Sequence, residues 1–476
     1  MIKLLKKLLN MPNEAKATIA FIVASFILKG IAFITTPVFT RVMDAGQYGI
    51  IATYNSWLSI IEVFALLGLT SAGVFNVGLN DYRDRREQYV SSVLTLCNCV
   101  TVVVFVIIFI AKRIFGEAFL LPNNLLILMF LWLLFNPAQI FWVTRQRYEF
   151  KYKLAFCVTV FSAIISQIVS LIVVLNSNGE NLGEIKLWST NIVNVICILP
   201  IYLYIFAKGR KLFEFSIWKQ VLTFALPLIP HYLAQHIMSG ADRIMISEMV
   251  SSADAGIYSV VANVSMIATM VWTSVNASLI PFTFENMNKK NYKDISGIST
   301  MLILFYAVGC IAVSLIAPEV IKILAPEEYY NGIYAVPPIA GVAFMSALYN
   351  IYANIEFYHK KSTYIAVSTI VATIVNIILN AILIPKFTFY AAAYTTLISY
   401  AVLVLMHFVG YKKCQQENIY DNSKILLITI ACVIMCILCS FLYPFTIFRY
   451  GIICLILVVM ILKRNSIILA IKKMKK

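Results

Sequence analysis

Lys29 and Glu62 are the residues whose types fit least with their surroundings. Each lies inside a long apolar stretch, Lys29 within 17–38 and Glu62 within 48–69. A lysine at the centre of a bilayer costs about 2.5–3.5 kcal/mol on insertion scales. Water, an acidic partner or an anionic ligand must offset that cost. With these boundaries Glu62 is the one acid placed inside a span. Counted from the outer ends of their stretches, residues 38 and 48, the two residues differ in depth by roughly 7–8 Å at 1.5 Å per residue. Long side chains nearly close that gap. Two compatible readings follow: a structural Lys29–Glu62 pair, or a cavity cation that receives a phosphate.

Other polar residues recur at helical spacing. Thr18, Ser25, Lys29 and Thr36 share one face, as do Tyr48, Asn55, Ser59 and Glu62. Further stripes are His231/Gln235/Asp242, Ser265/Thr269/Trp272/Asn276, Ser162/Ser166/Ser170, Asn191/Asn194, Asn350/Asn354 and Thr373/Asn376/Asn380. Any single stripe reads as helix–helix hydrogen bonding; taken together with the charges, they read as the lining of a hydrated cavity. The binding candidates are Lys29, Ser25, Asn55, Glu62, His231, Gln235 and Asn276. Pro227 and Pro230 remove hydrogen bonds three residues apart and bend their helix, as a gating hinge or as a fixed kink. Asp242 and Arg243 read either as a pair gating one mouth or as interfacial snorkelling. His231 and His407 read as hydrogen-bonding rather than proton-carrying residues. The chain offers no nucleophile–base pair, nucleotide-binding loop or metal motif. No catalytic residue, metal ligand or cofactor is therefore assigned, and an enzyme is disfavoured. Cys432, Cys436 and Cys439 share a helix face but have no His or acidic neighbour, so they read as packing residues.

The elements that must position these groups are membrane helices. The chain is 61% hydrophobic and 13% charged, with a mean hydropathy of +0.86. That composition requires lipid as the solvent. Fourteen apolar stretches are each about long enough to span: 17–38, 48–69, 90–111, 122–142, 154–175, 187–207, 220–241, 256–280, 298–317, 333–355, 363–384, 387–410, 424–443 and 447–462. Most of the 38 Lys and Arg fall in alternate connections, among them Arg83, Arg85 and Arg86, Arg145 to Lys153, and Lys208 to Lys219. By the positive-inside rule those connections and both termini are cytoplasmic. The net charge of +16 is then a topology signal, not a nucleic-acid footprint. Residues 1–11 read as a surface-lying helix or a frayed tail.

One short sequence occurs twice. Asp44-Ala45-Gly46-Gln47-Tyr48 recurs as Asp254-Ala255-Gly256-Ile257-Tyr258. Six spans separate the copies, so both face the same side, as in parallel repeats. The motif itself reads as a turn with an interfacial tyrosine. The expected fold is an all-α polytopic membrane protein of about fourteen helices. Its parts are an N-terminal lobe (1–210, spans 1–6), a C-terminal lobe (211–412, spans 7–12), and a helix pair with a basic tail (413–476).

The runs Lys29-Gly30-Ile31, Pro37-Val38-Phe39-Thr40-Arg41 and Tyr48-Gly49-Ile50 resemble the opening of bacterial polysaccharide-biosynthesis flippases. Those flippases belong to the multidrug/oligosaccharidyl-lipid/polysaccharide (MOP) exporter superfamily. Pro227-Leu228-Ile229-Pro230-His231 and Asp242-Arg243-Ile244-Met245-Ile246 resemble the start of their second lobe. The resemblance implies a V-shaped pair of lobes working by alternating access. It implies as substrate an undecaprenyl-diphosphate-linked glycan moved across the bacterial cytoplasmic membrane for O-antigen, capsule or exopolysaccharide assembly. Membrane lipids, a polysaccharide polymerase and chain-length machinery are the implied partners, with no nucleic acid. Lys29 suits a diphosphate. The alternatives are a multidrug or cation antiporter, a lipid II flippase and, less in keeping with the short outer loops, a membrane enzyme of glycan polymerisation.

Overall fold

The computed structural model describes residues 13–69, 74–116, 120–177, 179–415 and 417–463. The expected surface helix at 1–11 and most of the basic tail lie outside them. The elements in chain order are α1 (Asn13–Val42), α2 (Ala45–Ala65), α3 (Val74–Asp81), α4 (Arg86–Phe115), α5 (Asn123–Tyr148), α6 (Tyr152–Leu175), α7 (Leu182–Gly209), α8 (Phe215–Ala225) and α9 (Ile229–Met249). They continue with α10 (Ser252–Asn288), α11 (Tyr292–Leu315), α12 (Ala317–Leu324), α13 (Val336–Tyr358), α14 (Ser362–Cys414), α15 (Asn422–Leu438) and α16 (Thr446–Leu462). Among the described residues there is no strand.

Among the described residues, eleven helical stretches are long and apolar enough to cross a membrane, and α16 is a shorter apolar one. The chain is therefore an all-α, multi-pass membrane protein. The difference from fourteen stretches has two local causes. The 21-residue α2 is too polar to be counted, since it carries Asn55, Ser59 and Glu62. The 53-residue α14 holds two expected spans, 363–384 and 387–410, joined at Thr388 (φ 56°, ψ −149°). A β-branched residue rarely adopts positive φ, so the backbone is strained at this break, and it joins the two helical runs with no connecting loop.

The expected span 220–241 is also divided. α8 ends at Ala225, Leu226–Leu228 form a 3-10 turn containing Pro227, and α9 starts at Ile229 with Pro230 as its second residue. The two prolines each remove a backbone donor, and the tighter turn accommodates the loss.

The chain packs as two compact units that divide between His236 and Ile237, inside α9. The core of unit 1 includes Phe75 stacked on Phe141, with ring centroids 4.5 Å apart, and Tyr82 stacked on Tyr89 at 5.4 Å. The core of unit 2 gathers Trp272, Tyr306, Tyr352, Tyr411 and Tyr420 with Cys432 and Cys436. These two cysteines serve as packing groups on the inward face of α15.

Candidate functional site

In unit 1, Lys29 lies midway along α1 and is half-buried. No carboxylate of the described residues is within ion-pair distance of it. Glu62 is held elsewhere: the Asn136 side-chain amide donates to its Oε1 at 3.3 Å. Ser25 is exposed and turns its hydroxyl back to the Phe21 carbonyl at 2.9 Å. Asn55 and Gln235 are exposed, and His231 is half-buried. Among the described residues, Lys29, Ser25, Asn55, Glu62 and Gln235 form no hydrogen bond with one another. What unit 1 presents is an ammonium partway along an apolar helix with no counter-ion among the described residues, and exposed amides on α2 and α9.

A second half-buried lysine was not singled out from sequence. The Lys186 ammonium, near the start of α7, sits 3.8 Å from the centroid of Phe39 and 5.7 Å from that of Tyr48. Phe39 belongs to the Pro37–Arg41 run and Tyr48 to the repeated motif, so both short signatures converge on one cation. Nearby, the Gly183 amide donates to Gln47 Oε1 at 2.9 Å. A Cβ on Gly183 would stand 2.4 Å from the Gln47 carbonyl oxygen, so only glycine permits this approach of α7 to the start of α2.

The two motif copies start their helices differently. Asp44 caps α2, its Oδ1 accepting the Gln47 amide at 2.8 Å. In the second copy Ser251 is the cap, accepting the Asp254 amide at 3.0 Å, and it also donates to the Asp254 carboxylate. Asp254 thus lies inside the first turn of α10, where an acid suits the helix dipole. The tyrosines of both copies, Tyr48 and Tyr258, are buried.

Tyr258 leads to the principal polar site of unit 2. Its hydroxyl donates to Asp242 Oδ2 at 2.7 Å. Thr396 also donates to Oδ2 at 2.7 Å, and the Asn380 amide donates to Oδ1 at 2.7 Å. Asn380 and Asn376 are one helical turn apart, so both side chains face inward and hydrogen-bond each other at 3.2 Å. Asn376 donates to Thr396 at 3.2 Å, and Thr395 donates to Asn380 Oδ1. Asp242 is 3% exposed, and neutral donors satisfy its charge.

Arg243 does not pair with Asp242. Its Nε donates to Ser259 Oγ at 3.1 Å and its guanidinium to the Ser239 carbonyl at 2.8 Å. Neighbouring helical residues point about 100° apart, which sends the carboxylate inward and the guanidinium outward. Asn276 meets Asn354, whose amide donates to its Oδ1 at 2.9 Å.

Unit 2 also buries Glu356 against His407, Oε2 to Nδ1 at 2.8 Å, under the ring of Tyr349. Glu356 lies one residue beyond the expected span 333–355, so Glu62 is not the only acid in a membrane helix. Gly410 makes room for this carboxylate, because a Cβ there would be 2.1 Å from Glu356 Oε1. At the far end, Arg449 of α16 forms a two-pronged contact with Glu319 of α12, at 2.7 and 2.6 Å, and donates to the Leu315 carbonyl at 2.9 Å.

A family model described as "Polysaccharide biosynthesis protein" matches residues 15–287, which takes in the described part of unit 1 and runs through most of α10. A Haemophilus influenzae protein called "Lsg locus putative protein 1" is 21% identical over 369 residues, covering 76% of this chain and 89% of its own. A second protein of that organism, called an uncharacterized membrane protein, is 22% identical over 376 residues, covering 75% and 86%. The structure of the lipid II flippase MurJ in an inward closed conformation superposes with a TM-score of 0.67 at 15% identity, covering 95% of this chain and 100% of that one. An inward-facing multidrug resistance MATE family transporter of the MOP superfamily superposes with a TM-score of 0.56 at 11% identity, covering 86% and 96%. The fold is thus shared with MOP-superfamily transporters, and the chain belongs to the polysaccharide biosynthesis protein family.

Proposed function

We propose that this protein is a flippase that carries undecaprenyl-diphosphate-linked oligosaccharide repeat units across the bacterial cytoplasmic membrane by alternating access. In this reading the lobes are 1–210 and 211–412, residues 413–476 add a helix pair and tail, and both termini are cytoplasmic. The observation that carries the reading is the half-buried Lys29, which has no counter-ion among the described residues, in a chain whose family is defined by polysaccharide biosynthesis. A structural lysine would be held by a carboxylate, whereas Glu62 takes its hydrogen bond from Asn136. The exposed amides of Asn55 and Gln235 suit sugar hydroxyls. Pro227 and Pro230 supply the hinge, and Asp242 fixes the start of the second lobe. A cation antiporter is the second reading. The buried Asp242 carboxylate favours it, and the neutral donors that already saturate that carboxylate weigh against it.

The test is a gene deletion complemented with Lys29→Ala. In the deletion strain, complete lipid-linked repeat units should accumulate on the inner leaflet. Lys29→Ala should reach normal abundance yet fail to restore surface glycan, and Lys29→Arg should restore part of it. Full restoration by the alanine variant would remove Lys29 from the mechanism. Unpolymerised units found on the outer leaflet of the deletion strain would point to a polymerase instead.

A further inference from the structure

The loops of unit 1 that carry the positive-inside charge also form a pocket of about 590 Å3, a size that suits a small ligand. Six cations line it: Arg83, Arg85, Arg86, Arg145, Lys151 and Lys208. They face three carboxylates, Asp84, Glu87 and Glu149, so the lining has a formal excess of three positive charges. Topogenesis needs only charge on the correct side. It does not need guanidinium groups held in fixed orientations around a hollow, and that is what this pocket has.

Arg86 is anchored on several sides. Its Nε donates to the Leu79 carbonyl at 3.0 Å, its guanidinium lies over the Tyr148 ring at 5.1 Å, and its NH1 is 3.6 Å from Glu149 Oε1. Arg145 donates to the same oxygen at 2.9 Å and lies 3.5 Å from Glu87. Lys151 closes on Glu149 Oε2 at 2.7 Å. Three cations thus surround one carboxylate. Burial pushes the Glu149 pKa up, but hydrogen bonds from Lys151 and Arg145 outweigh it and hold the group below the usual carboxylate value. Glu149 stays ionised and fixes the frame. At the rim, Arg83 rests on the Asn80 side chain at 2.8 and 3.2 Å, and Lys208 is exposed, with no ion pair among the described residues. Arg83, Arg85 and Arg86 also crowd the amino end of α4, where the helix dipole disfavours cations and favours anions. That arrangement costs helix stability, which Asp84 and Glu87 offset in part and an anion in the hollow would offset further.

We propose that this pocket is a phosphate site in which Arg83, Arg86, Arg145 and Lys208 receive the phosphate or diphosphate group of a membrane-anchored lipid. Planar, weakly hydrated guanidinium forks match phosphate oxygens, and basic pockets between membrane helices on this side take lipid headgroups. The phosphate could come from a polyprenyl diphosphate or from an anionic phospholipid. The polyprenyl form rests on the flippase reading above.

The test uses the full-length protein in phosphatidylcholine nanodiscs, titrated with inorganic pyrophosphate. Saturable, salt-sensitive binding is expected. The R83Q/K208Q pair should weaken it about tenfold or more, from the loss of charge-assisted hydrogen bonds. R86K keeps the charge and the topology but loses the fork, and it should weaken binding severalfold. Absence of saturable binding to the wild type, or wild-type affinity in both variants, overturns the site and leaves the flippase reading untouched. Two competition arms then identify the source. Displacement of pyrophosphate by undecaprenyl diphosphate in phosphatidylcholine discs supports the substrate form. Displacement only when phosphatidylglycerol or cardiolipin is added supports the site as a headgroup site and overturns its substrate form.

Discussion

Replacing Asp242 tests the polar network of unit 2 most directly. Three hydrogen bonds of 2.7 Å converge on its carboxylate from Tyr258, Thr396 and Asn380. Asp242→Ala removes the carboxylate that accepts from the Tyr258 hydroxyl, which is 2% exposed. Thr396 loses its acceptor too, whereas Asn380 keeps its bond to Asn376. Each buried donor left unsatisfied costs about 1–3 kcal/mol. Removing the carboxylate also removes its own desolvation cost, so the net loss should be about 2–5 kcal/mol. For a unit of this size that lowers the thermal midpoint by roughly 4–20 °C. Asp242→Asn should cost less, about 1–2 kcal/mol, because its carbonyl oxygen still accepts and the hydroxyls can rotate to accept from its amide. Tyr258→Phe removes one bond to a charged group, about 1.5–3 kcal/mol. The double variant should lose about 1–3 kcal/mol less than the sum of the singles, since both changes break the same bond. The assay is thermal unfolding of detergent-solubilised protein followed by tryptophan fluorescence. An unchanged midpoint for Asp242→Ala, or strict additivity with Tyr258→Phe, would refute the network.

Two further changes probe unit 2. Gly410→Ala places a methyl 2.1 Å from Glu356 Oε1 and should cost about 1–3 kcal/mol by overpacking; a midpoint equal to wild type would contradict the close approach. Arg449→Lys loses the fork on Glu319 and should destabilise the protein by about 1–3 kcal/mol, read in the same melt. The pair also predicts a pH dependence. Burial raises the Glu319 pKa, but hydrogen bonds from Arg449 and Tyr450 outweigh it, so the folded-state value lies below the ordinary 4.5. Its stabilisation is therefore complete above that ordinary value and is lost as pH falls through the depressed one. Glu319→Gln should flatten this acid limb, and an unchanged limb would show that other carboxylates set it.

Hydrophobic composition and spacing were enough to identify a multi-helix membrane protein, because lipid leaves the backbone no alternative to helices or closed barrels. They also placed the proline break at 227–230 and marked Asn376 and Asn380 as one face, since local backbone chemistry and a 3.6-residue period act within a single helix. The duplicated Asp-Ala-Gly-x-Tyr motif was visible too, but its role was not. Tyr258 donates to a carboxylate 16 residues earlier in the chain, and Thr396 reaches the same carboxylate from 154 residues away. No one-dimensional pattern encodes such distances. Arg243 and Asp242 look like a pair in sequence, yet the helix turns them apart. Lys29 and Glu62 look complementary, yet Asn136 takes the acid. Glu356 was missed by one residue of span boundary, and an exposure of 0% beside His407 is what gives it weight. That the chain is built of apolar helices follows from the sequence alone, because transfer free energy is nearly additive along the chain. Which polar groups meet is decided only in three dimensions, because a buried charge is stabilised by whichever partners the packing brings within 3 Å.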